Sequence, residues 1–286
     1  MNAIVLLTDF GLADAYVAQM KGVLLSEAPD IPVVDLTHEV EPQNVAQASF
    51  LLATTLPHFP EGAVFCCVVD PGVGTDRRLV CAASRGRICL APDNGLLSLV
   101  LEQDPNARTY DLTRFARRRP DTCATFHGRD IFAPLSARLA RGSSPDSIGS
   151  RIDRNELVTL EPSRATADGD AVDCHVLHVD RFGNAILSLP VEPWNETLGA
   201  WPSVSLHGSE PGPAVRVSSY AELSRQSLVH VATYAELASG QAGILAGSQG
   251  FMEIAMNGVS AAQQLGLHPG GQIRLSSTSA CGTGSK

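Results

Sequence analysis

The sequence predicts an α/β N-terminal domain followed by an all-β C-terminal barrel domain, and three observations support this. The chain has 286 residues, and since typical domains hold about 100 to 200 residues, two domains are expected. The first half alternates short apolar runs with longer helical patterns, which is typical of a mostly parallel sheet in Rossmann-like layers. The second half has short apolar runs without long helical patterns between them, which favours a small β-barrel or sandwich.

The predicted elements follow from these two periodicities. Helices are expected where apolar residues recur every three or four positions, at 15–27, 45–56, 96–102 and 131–140. Strands are expected at short apolar runs: 3–7, 33–36, 63–69, 79–83 and 87–91 in the first half, and 172–179, 185–189, 204–206, 214–217, 228–231 and 251–256 in the second.

The predicted domain boundaries follow the change of pattern. The α/β domain is expected over 1–160, the barrel over 170–275 and a flexible polar tail over 276–286. Segment 142–169 is rich in Ser, Pro, Asp and Gly, and its periodicity fades. It is therefore predicted to be a linker or a long excursion between the domains.

Composition and charge exclude several classes of protein. Hydrophobic residues make up 44% and charged residues 18%, which indicates ordered cores, and the net charge of -9 does not favour nucleic acid as a partner. No apolar run approaches the roughly 18 to 20 residues that span a bilayer, and no signal peptide is visible, so a cytoplasmic location is expected. The seven cysteines include no CxxC pair, so neither a zinc site nor a disulfide framework is expected.

The first candidate motif is TDFG, which ends the first predicted strand. Asp9, like Asp70 and Asp93, directly follows a strand, where open parallel sheets place their ligand crevices. A carboxylate at this point can accept hydrogen bonds from ribose hydroxyls. The alternative is that Asp9 or Asp14 caps the helix that follows.

The second motif is DPGVGTDRR, in which a proline and two glycines impose a fixed turn between an apolar strand and two arginines. Such a loop can bring Asp70 close to Arg77. The alternative is an ordinary turn with a surface ion pair, worth about 0 to 1 kcal/mol. The choice between Arg77 and Arg78 remains open at this point.

The third motif is TFHGRD, which leads into an apolar helix. The glycine beside His127 lets a small ligand approach, although a lone histidine is more often an ordinary core or surface residue. Together, Asp70, Arg77 and His127 can hold a water by hydrogen bonds, and the arginine charge favours a more hydroxide-like oxygen.

The second half contributes candidate binding residues in three turns. Asp180, Phe182 and Asn184 supply a carboxylate, an aromatic face and a carboxamide, which suit an ammonium group, an adenine face and an adenine edge. Backbone donors in GSQG, which contains Ser248, and at Asn257-Gly258 can bind a carboxylate and a purine edge. All three segments also fit ordinary hairpin turns.

Six segments in this order resemble the S-adenosylmethionine hydroxide adenosyltransferase family, which is related to the fluorinase and chlorinase enzymes. The resemblance extends from Asp9 to about Leu275, and it rests on TDFG, VVDPGVGTDRR, APDNG, TFHGRD, VDRFGN and GSQG with the following FMEIAMNG. It implies an N-terminal α/β domain, a C-terminal β-barrel, and a homotrimer with its active sites at subunit interfaces.

The resemblance also implies roles for individual residues. Asp70, Arg77 and His127 match a water-activating triad, and Asp9 matches a ribose-binding aspartate. In the second domain, Asp180 and Ser248 match residues that hold the methionine moiety. Phe182, Asn184 and the backbone around Asn257 and Gly258 match the adenine pocket. Gln249 stands where the related halogenases tend to have an arginine beside the methionine carboxylate.

The activity implied is cleavage of S-adenosyl-L-methionine to adenosine and L-methionine, by in-line attack of water or hydroxide at the ribose C5′. S-adenosylmethionine would be the substrate, with no cofactor and no metal. The alternatives are a chlorinase-like halogenase, a non-catalytic protein that binds S-adenosylmethionine or adenosine, and a metal-dependent hydrolase with Asp9, Asp70 and His127 as ligands. The halogenases differ at Asp70 or His127, so the complete triad favours hydroxide chemistry.

Overall fold

The computed structural model describes residues 2–117, 122–160, 165–208 and 226–277. The chain forms two compact units, Met1–Glu161 and Pro162–Lys286. Over the described residues, each helix is too short or too polar to cross a membrane.

The first unit is built on a sheet that has seven strands within the described residues. They are β1 (Ile4–Thr8), β2 (Val33–Thr37), β3 (Val64–Val68), β4 (Leu79–Ser84), β5 (Arg87–Pro92), β6 (Arg108–Asp111) and β7 (Ser150–Ile152). Their order across the sheet is β2-β1-β3-β5-β4-β6-β7. Strands β2, β1, β3 and β5 run parallel, while β4, β6 and β7 continue the sheet in antiparallel pairs. Because β6 points the same way as β5, most strands share one direction, and the predicted α/β class is confirmed.

Helices cover both faces of this sheet. They are α1 (Tyr16–Glu27), α2 (Val45–Thr55), α3 (Ser98–Gln103), α4 (Thr113–Arg117), α5 (Ala133–Ala140) and α6 (Pro145–Ile148). Side chains of a strand alternate between the faces, so Ile4 and Leu6 join the core with α1 and α5, while Val5 and Leu7 join the core with α2 and α3. The same alternation decides which way the residues at the strand ends point.

The prediction of a linker over 142–169 is wrong for its first part. Helix α6 forms there, and β7 pairs with β6 in the register Thr109 to Ile152. The Thr109 hydroxyl also donates to the Ile152 carbonyl at 2.8 Å. This part of the chain therefore belongs to the first unit.

The second unit is a closed β-barrel. Its strands are β8 (Thr166–Asp168), β9 (Ala171–Val179), β10 (Ala185–Pro190), β11 (Val204–Gly208), β12 (Gln226–His230), β13 (Ala242–Ala246), β14 (Phe251–Met256) and β15 (Gln272–Ser277), with the short helices α7 (Val191–Gly199) and α8 (Ala261–Leu265). Strands β10-β14-β13-β12-β11-β15-β9 follow one another, the pairing of β9 with β10 closes the ring, and β8 extends β9 at its side. The predicted barrel is thus confirmed.

Two predictions about this unit need comment. The tail predicted over 276–286 begins too early, because Ser276 and Ser277 extend β15 and pair with Ser205 and Val204 of β11. The strand predicted over 214–217 lies outside the described residues. Strands β8, β13 and β15 were not predicted from the sequence.

Candidate active site

Asp70 follows β3, and Arg77 precedes β4, so both lie in the loop between these strands. Within it, the Val73 amide donates to the Asp70 carbonyl at 3.2 Å. Gly74 has a φ of +82°, and a Cβ there would lie 3.0 Å from the Ala124 carbonyl oxygen. Glycine is therefore required where this loop contacts the segment that leads to the third motif.

Asp70 and Arg77 form a buried ion pair. The Arg77 Nε donates to Asp70 Oδ1 at 2.7 Å and to Oδ2 at 2.8 Å, and Nη2 also donates to Oδ2. The side chains are only 5% (Asp70) and 11% (Arg77) exposed. This does not fit the alternative of a surface ion pair in an ordinary turn, because burial strengthens the interaction and makes the loss of either partner costly.

The choice between Arg77 and Arg78 follows from strand alternation. In β4, Leu79 faces the core with α1 and α5, and Val80 faces the opposite core. Arg77 accordingly lies on the side of Leu79, together with Asp70. Arg78 lies on the other side, where its Nε and Nη2 contact Asp93 Oδ2 at 2.8 and 2.7 Å.

His127 completes the group through Arg77. Arg77 Nη2 lies 3.0 Å from His127 Nδ1, and since a guanidinium has no acceptor, Nδ1 must accept and the ring proton must sit on Nε2. Burial, and then the charge of Arg77, lower the pKa of His127. The imidazole is thus neutral near pH 7 and offers Nε2–H as a donor.

Close packing fixes the position of His127. The residue directly precedes a π-helical turn, Gly128–Phe132, which continues into α5; such turns are frequent at functional sites. A Cβ at Gly128 would lie 3.2 Å from Met20 Sδ and from ring atoms of Phe10 and Phe126. A larger residue at 128 would therefore require these side chains, which pack beside His127 in the chain, to shift.

Asp9 lies beyond β1 and binds the backbone before α2. Its Oδ2 accepts from the Gln43 amide at 2.8 Å, and Gln43 has a φ of +67°. Helix α1 begins after Ala15 without a side-chain cap, so neither Asp9 nor Asp14 caps it, and that alternative is wrong. Asp9 instead holds the turn between β2 and α2.

Sequence reasoning missed a network behind TDFG that leads from the buried Thr8 and His38 to the more exposed Asp35 and Lys21. The Thr8 hydroxyl lies 2.8 Å from His38 Nδ1, His38 Nε2 lies 3.0 Å from Asp35 Oδ1, and Asp35 pairs with Lys21 at 2.6 Å. The His38 carbonyl also accepts from the Gly11 amide at 2.8 Å. The available signal was a histidine at the end of a predicted strand, since His38 directly follows β2.

In the barrel, the structure brings Asp180, Phe182 and Asn184 together in one turn. Asp180 Oδ1 accepts from the Phe182 and Asn184 amides at 2.9 and 2.8 Å, and Oδ2 accepts from Asn184 Nδ2 at 2.9 Å. Asn184 is buried, whereas Phe182 is 80% exposed. Asp180 thus organises a turn that presents an aromatic ring to its surroundings.

The remaining predicted binding residues lie at two ends of β14. Ser248 is exposed in the turn before β14, while Asn257 and Gly258 follow this strand, roughly 17 Å further along it. Asn257 Nδ2 donates to the Leu237 carbonyl at 2.7 Å, and Gly258 has a φ of +80°. Because β10 begins beside Ile254, the Asp180 turn lies nearer to Asn257 than to Ser248.

A second group that sequence reasoning missed is Tyr234 with Glu253. The Tyr234 hydroxyl donates to the Glu253 carboxylate, which is 5% exposed. Burial raises the pKa of Glu253, and the charge of Asp180 adds to this. A glutamate inside the apolar strand FMEIAM was the signal that could have found it.

The side chains that could act as metal ligands do not favour a metal-dependent hydrolase. Among the described residues, no three His, Cys, Asp or Glu side chains are grouped so that they could hold a metal ion. Asp70 and His127 are joined by the guanidinium of Arg77, whose fixed positive charge repels a cation. Asp9 is engaged with the Gln43 amide instead.

Fold and site together define a class of two-domain proteins, in which an α/β unit carries a hydrogen-bonded Asp-Arg-His group and a closed β-barrel follows. The chain belongs to the SAM hydroxide adenosyltransferase family: the model of the family's N-terminal domain matches residues 4–149, and that of its C-terminal domain matches residues 174–274.

Individual relatives agree with this assignment. The (R)-S-adenosyl-L-methionine hydrolase of Thermus thermophilus is 38% identical over 283 residues, which cover 96% of this chain and 100% of the relative. A fluorinase of Actinopolyspora mzabensis is 31% identical, over 65% of this chain and 71% of the relative. The crystal structure of an uncharacterized conserved protein from Thermotoga maritima superposes with a TM-score of 0.84 at 30% identity, over 96% of this chain and 99% of that one.

Proposed function

We propose that this protein hydrolyses S-adenosyl-L-methionine to adenosine and L-methionine. One observation carries the proposal: an Asp70-Arg77-His127 group with a buried ion pair and a half-buried histidine, all joined by hydrogen bonds, in a chain similar to named S-adenosylmethionine hydrolases. A halogenase does not need to activate water, so the presence of all three residues favours the hydrolase over the halogenase alternative.

The hydrogen bonds divide the work between the three side chains. Arg77 can only donate, and His127 donates from Nε2 because its Nδ1 is occupied by Arg77. Asp70 is therefore the acceptor of the group, and it orients the water and takes its proton. Arg77 and His127 stabilise the hydroxide character that develops on the oxygen.

The reaction itself needs little from the protein beyond positioning. The positive sulfur makes methionine a good leaving group, so the new bond forms between the water oxygen and C5′ as the C5′ to sulfur bond breaks. The sulfur keeps the bonding electron pair, and one proton of the water leaves through Asp70. Holding one desolvated water in line with the breaking bond supplies most of the acceleration.

The second unit would hold the substrate, together with Asp9. In this proposal Asp9 binds the ribose hydroxyls, and the exposed ring of Phe182 stacks on the adenine. Asn184 and the backbone at Asn257 and Gly258 bind the adenine edge, while Asp180 and Ser248 bind the methionine moiety. The Asp180 carboxylate already accepts three hydrogen bonds, so one lone pair of Oδ2 remains for an ammonium group.

Three further points are part of the same proposal. The protein would act as a homotrimer with its sites at subunit interfaces, in the cytoplasm, and without a metal or cofactor. Light scattering after size exclusion tests the trimer, and turnover after treatment with a chelator tests the metal.

The decisive experiment is mass spectrometry of the products formed from S-adenosylmethionine in oxygen-18 water. We expect one labelled oxygen in adenosine and none in methionine, because water attacks C5′. Formation of 5′-chloro-5′-deoxyadenosine in chloride buffer, or tight binding without any product, would overturn the proposal in favour of a halogenase or a binding protein.

A further inference from the structure

The motif APDNG has no role in the mechanism above, yet its position in the sheet is unusual. Strand β5 lies between β3 and β4 in the sheet, whereas the chain runs from β3 directly to β4. The loop that carries Asp70 and Arg77 therefore has to cross the end of β5. Asp93 and Asn94 lie at this end of β5, directly beneath the loop.

Both ends of the loop are bound by these two residues. At the first end, Asn94 Nδ2 donates to the carbonyl of Val69 at 2.9 Å, and Val69 immediately precedes Asp70. At the second end, Arg78 follows Arg77, and its Nε donates to Asp93 Oδ2 at 2.8 Å. The Asp93 amide in turn donates to the Arg78 carbonyl at 3.0 Å.

Asp93 is itself held firmly. The residue is 9% exposed, and its Oδ1 accepts from the Val158 amide at 2.9 Å. Arg78 also donates to the carbonyl of Glu156. Through Val158 and Glu156, Asp93 and Arg78 are thus tied to the last segment of the first unit.

We propose that Asp93 and Asn94 are positioning residues, which clamp both ends of the loop and so hold Asp70 and Arg77 in register with His127. This inference rests on the proposed function. Asp93 has a second role, because its carboxylate forms the ion pair with Arg78.

The test uses the full chain and the variants Asn94→Ala and Asp93→Asn. We expect kcat for adenosine formation to fall about 10- to 100-fold, the loss that follows a misplacement of about 1 Å, while KM changes much less. Asp93→Asn keeps the shape of the side chain, so it provides a second variant if Asn94→Ala does not fold.

Asp104→Ala is the matched control. Asp104 is half-buried like Asn94, and it accepts two hydrogen bonds, from Ser84 Oγ at 2.7 Å and the Asn106 amide at 3.0 Å. It lies at the opposite end of β4 and does not contact the loop. We expect this control to lose stability while keeping the parental kcat.

A readout without substrate separates this inference from the proposed function. The imidazole of His127 is titrated by NMR in each variant, with its signal assigned by comparison with His127→Gln. The groups that act on it are Arg77, Asp70 and Asp130. When the clamp is lost, Arg77 moves away and the pKa of His127 rises toward its ordinary value. A parental kcat together with a parental titration in both clamp variants would overturn the inference, whatever reaction the protein catalyses.

Discussion

Arg77 Nη2 donates to His127 Nδ1 at 3.0 Å, while the same guanidinium donates hydrogen bonds to both carboxylate oxygens of Asp70. One side chain thus fixes the tautomer of the histidine and the orientation of the carboxylate. In the proposed mechanism, Asp70 is the remaining acceptor for the proton of the water, a choice that the order of motifs in the sequence left open.

Asp70→Asn tests that assignment. The amide retains the shape of the side chain but cannot take a proton, so we expect kcat to fall about 10²- to 10⁴-fold, the usual contribution of a general base. Adenosine release, measured by liquid chromatography, gives the rate. Substrate affinity from calorimetry should stay near the parental value, and an unchanged kcat would contradict the role of Asp70.

The pH dependence follows from His127. Its pKa is lowered by burial and by Arg77, and in the proposed mechanism the neutral ring is the active form. Activity should therefore stay constant down to about pH 6.5, the ordinary value for histidine, and fall only as the pH drops through the lowered pKa. In His127→Gln the part of the acid limb that belongs to His127 should vanish, and an acid limb centred above 6.5 in the parent would argue against the neutral form of His127 as the active one.

Phe182→Ala separates binding from folding. Because the ring is 80% exposed, its loss should change the free energy of unfolding by less than about 0.5 kcal/mol. If the ring stacks on adenine, KM should rise about 10-fold, which corresponds to about 1.4 kcal/mol. A parental KM would remove Phe182 from the proposed binding site.

Gly183→Ala should disrupt the turn that Asp180 organises. Gly183 has a φ of +85°, and an added Cβ would lie 2.7 Å from the Cα of Ser260. Strain and overpacking together should cost about 2 to 5 kcal/mol. The control is Gly240→Ala, where φ is +70° but the space is open, so about 1 to 2 kcal/mol is expected. Equal losses in urea unfolding would contradict the contact with Ser260.

Thr8→Val tests the network behind TDFG. The substitution leaves His38 Nδ1 without its partner in the interior, which should cost about 1 to 3 kcal/mol of unfolding free energy. Thr54→Val is the control, since the Thr54 hydroxyl bonds back to the Phe50 and Leu51 carbonyls of its own helix, and its removal should change little. A similar small effect in both variants would show that the network does not stabilise the unit.

The sequence by itself determined the fold class and most of the elements. Apolar periodicity located β1, β3 and β5, because these strands are buried on both faces and appear as continuous apolar runs. It also located Asp9 and Asp70 just after strands. Local patterns sufficed here, since each depends only on neighbouring residues.

Other elements escaped the sequence because their stability comes from distant partners. Strand β7 has three residues and forms by pairing with β6. Similarly, β15 pairs with β9 and β11, so its polar last residues looked like a tail. Short polar strands carry little local signal, and only their neighbours in the sheet define them.

The candidate site shows the same division. Sequence alone brought Asp70, Arg77 and His127 into one hypothesis, but it could not choose between Arg77 and Arg78, which are adjacent in the chain. The tertiary structure separated them, because alternation along β4 sends the two side chains to opposite faces of the sheet. Sheet order then placed Asp93 beneath the loop as the partner of Arg78, a contact that depends on the insertion of β5 between β3 and β4 and that no local pattern encodes.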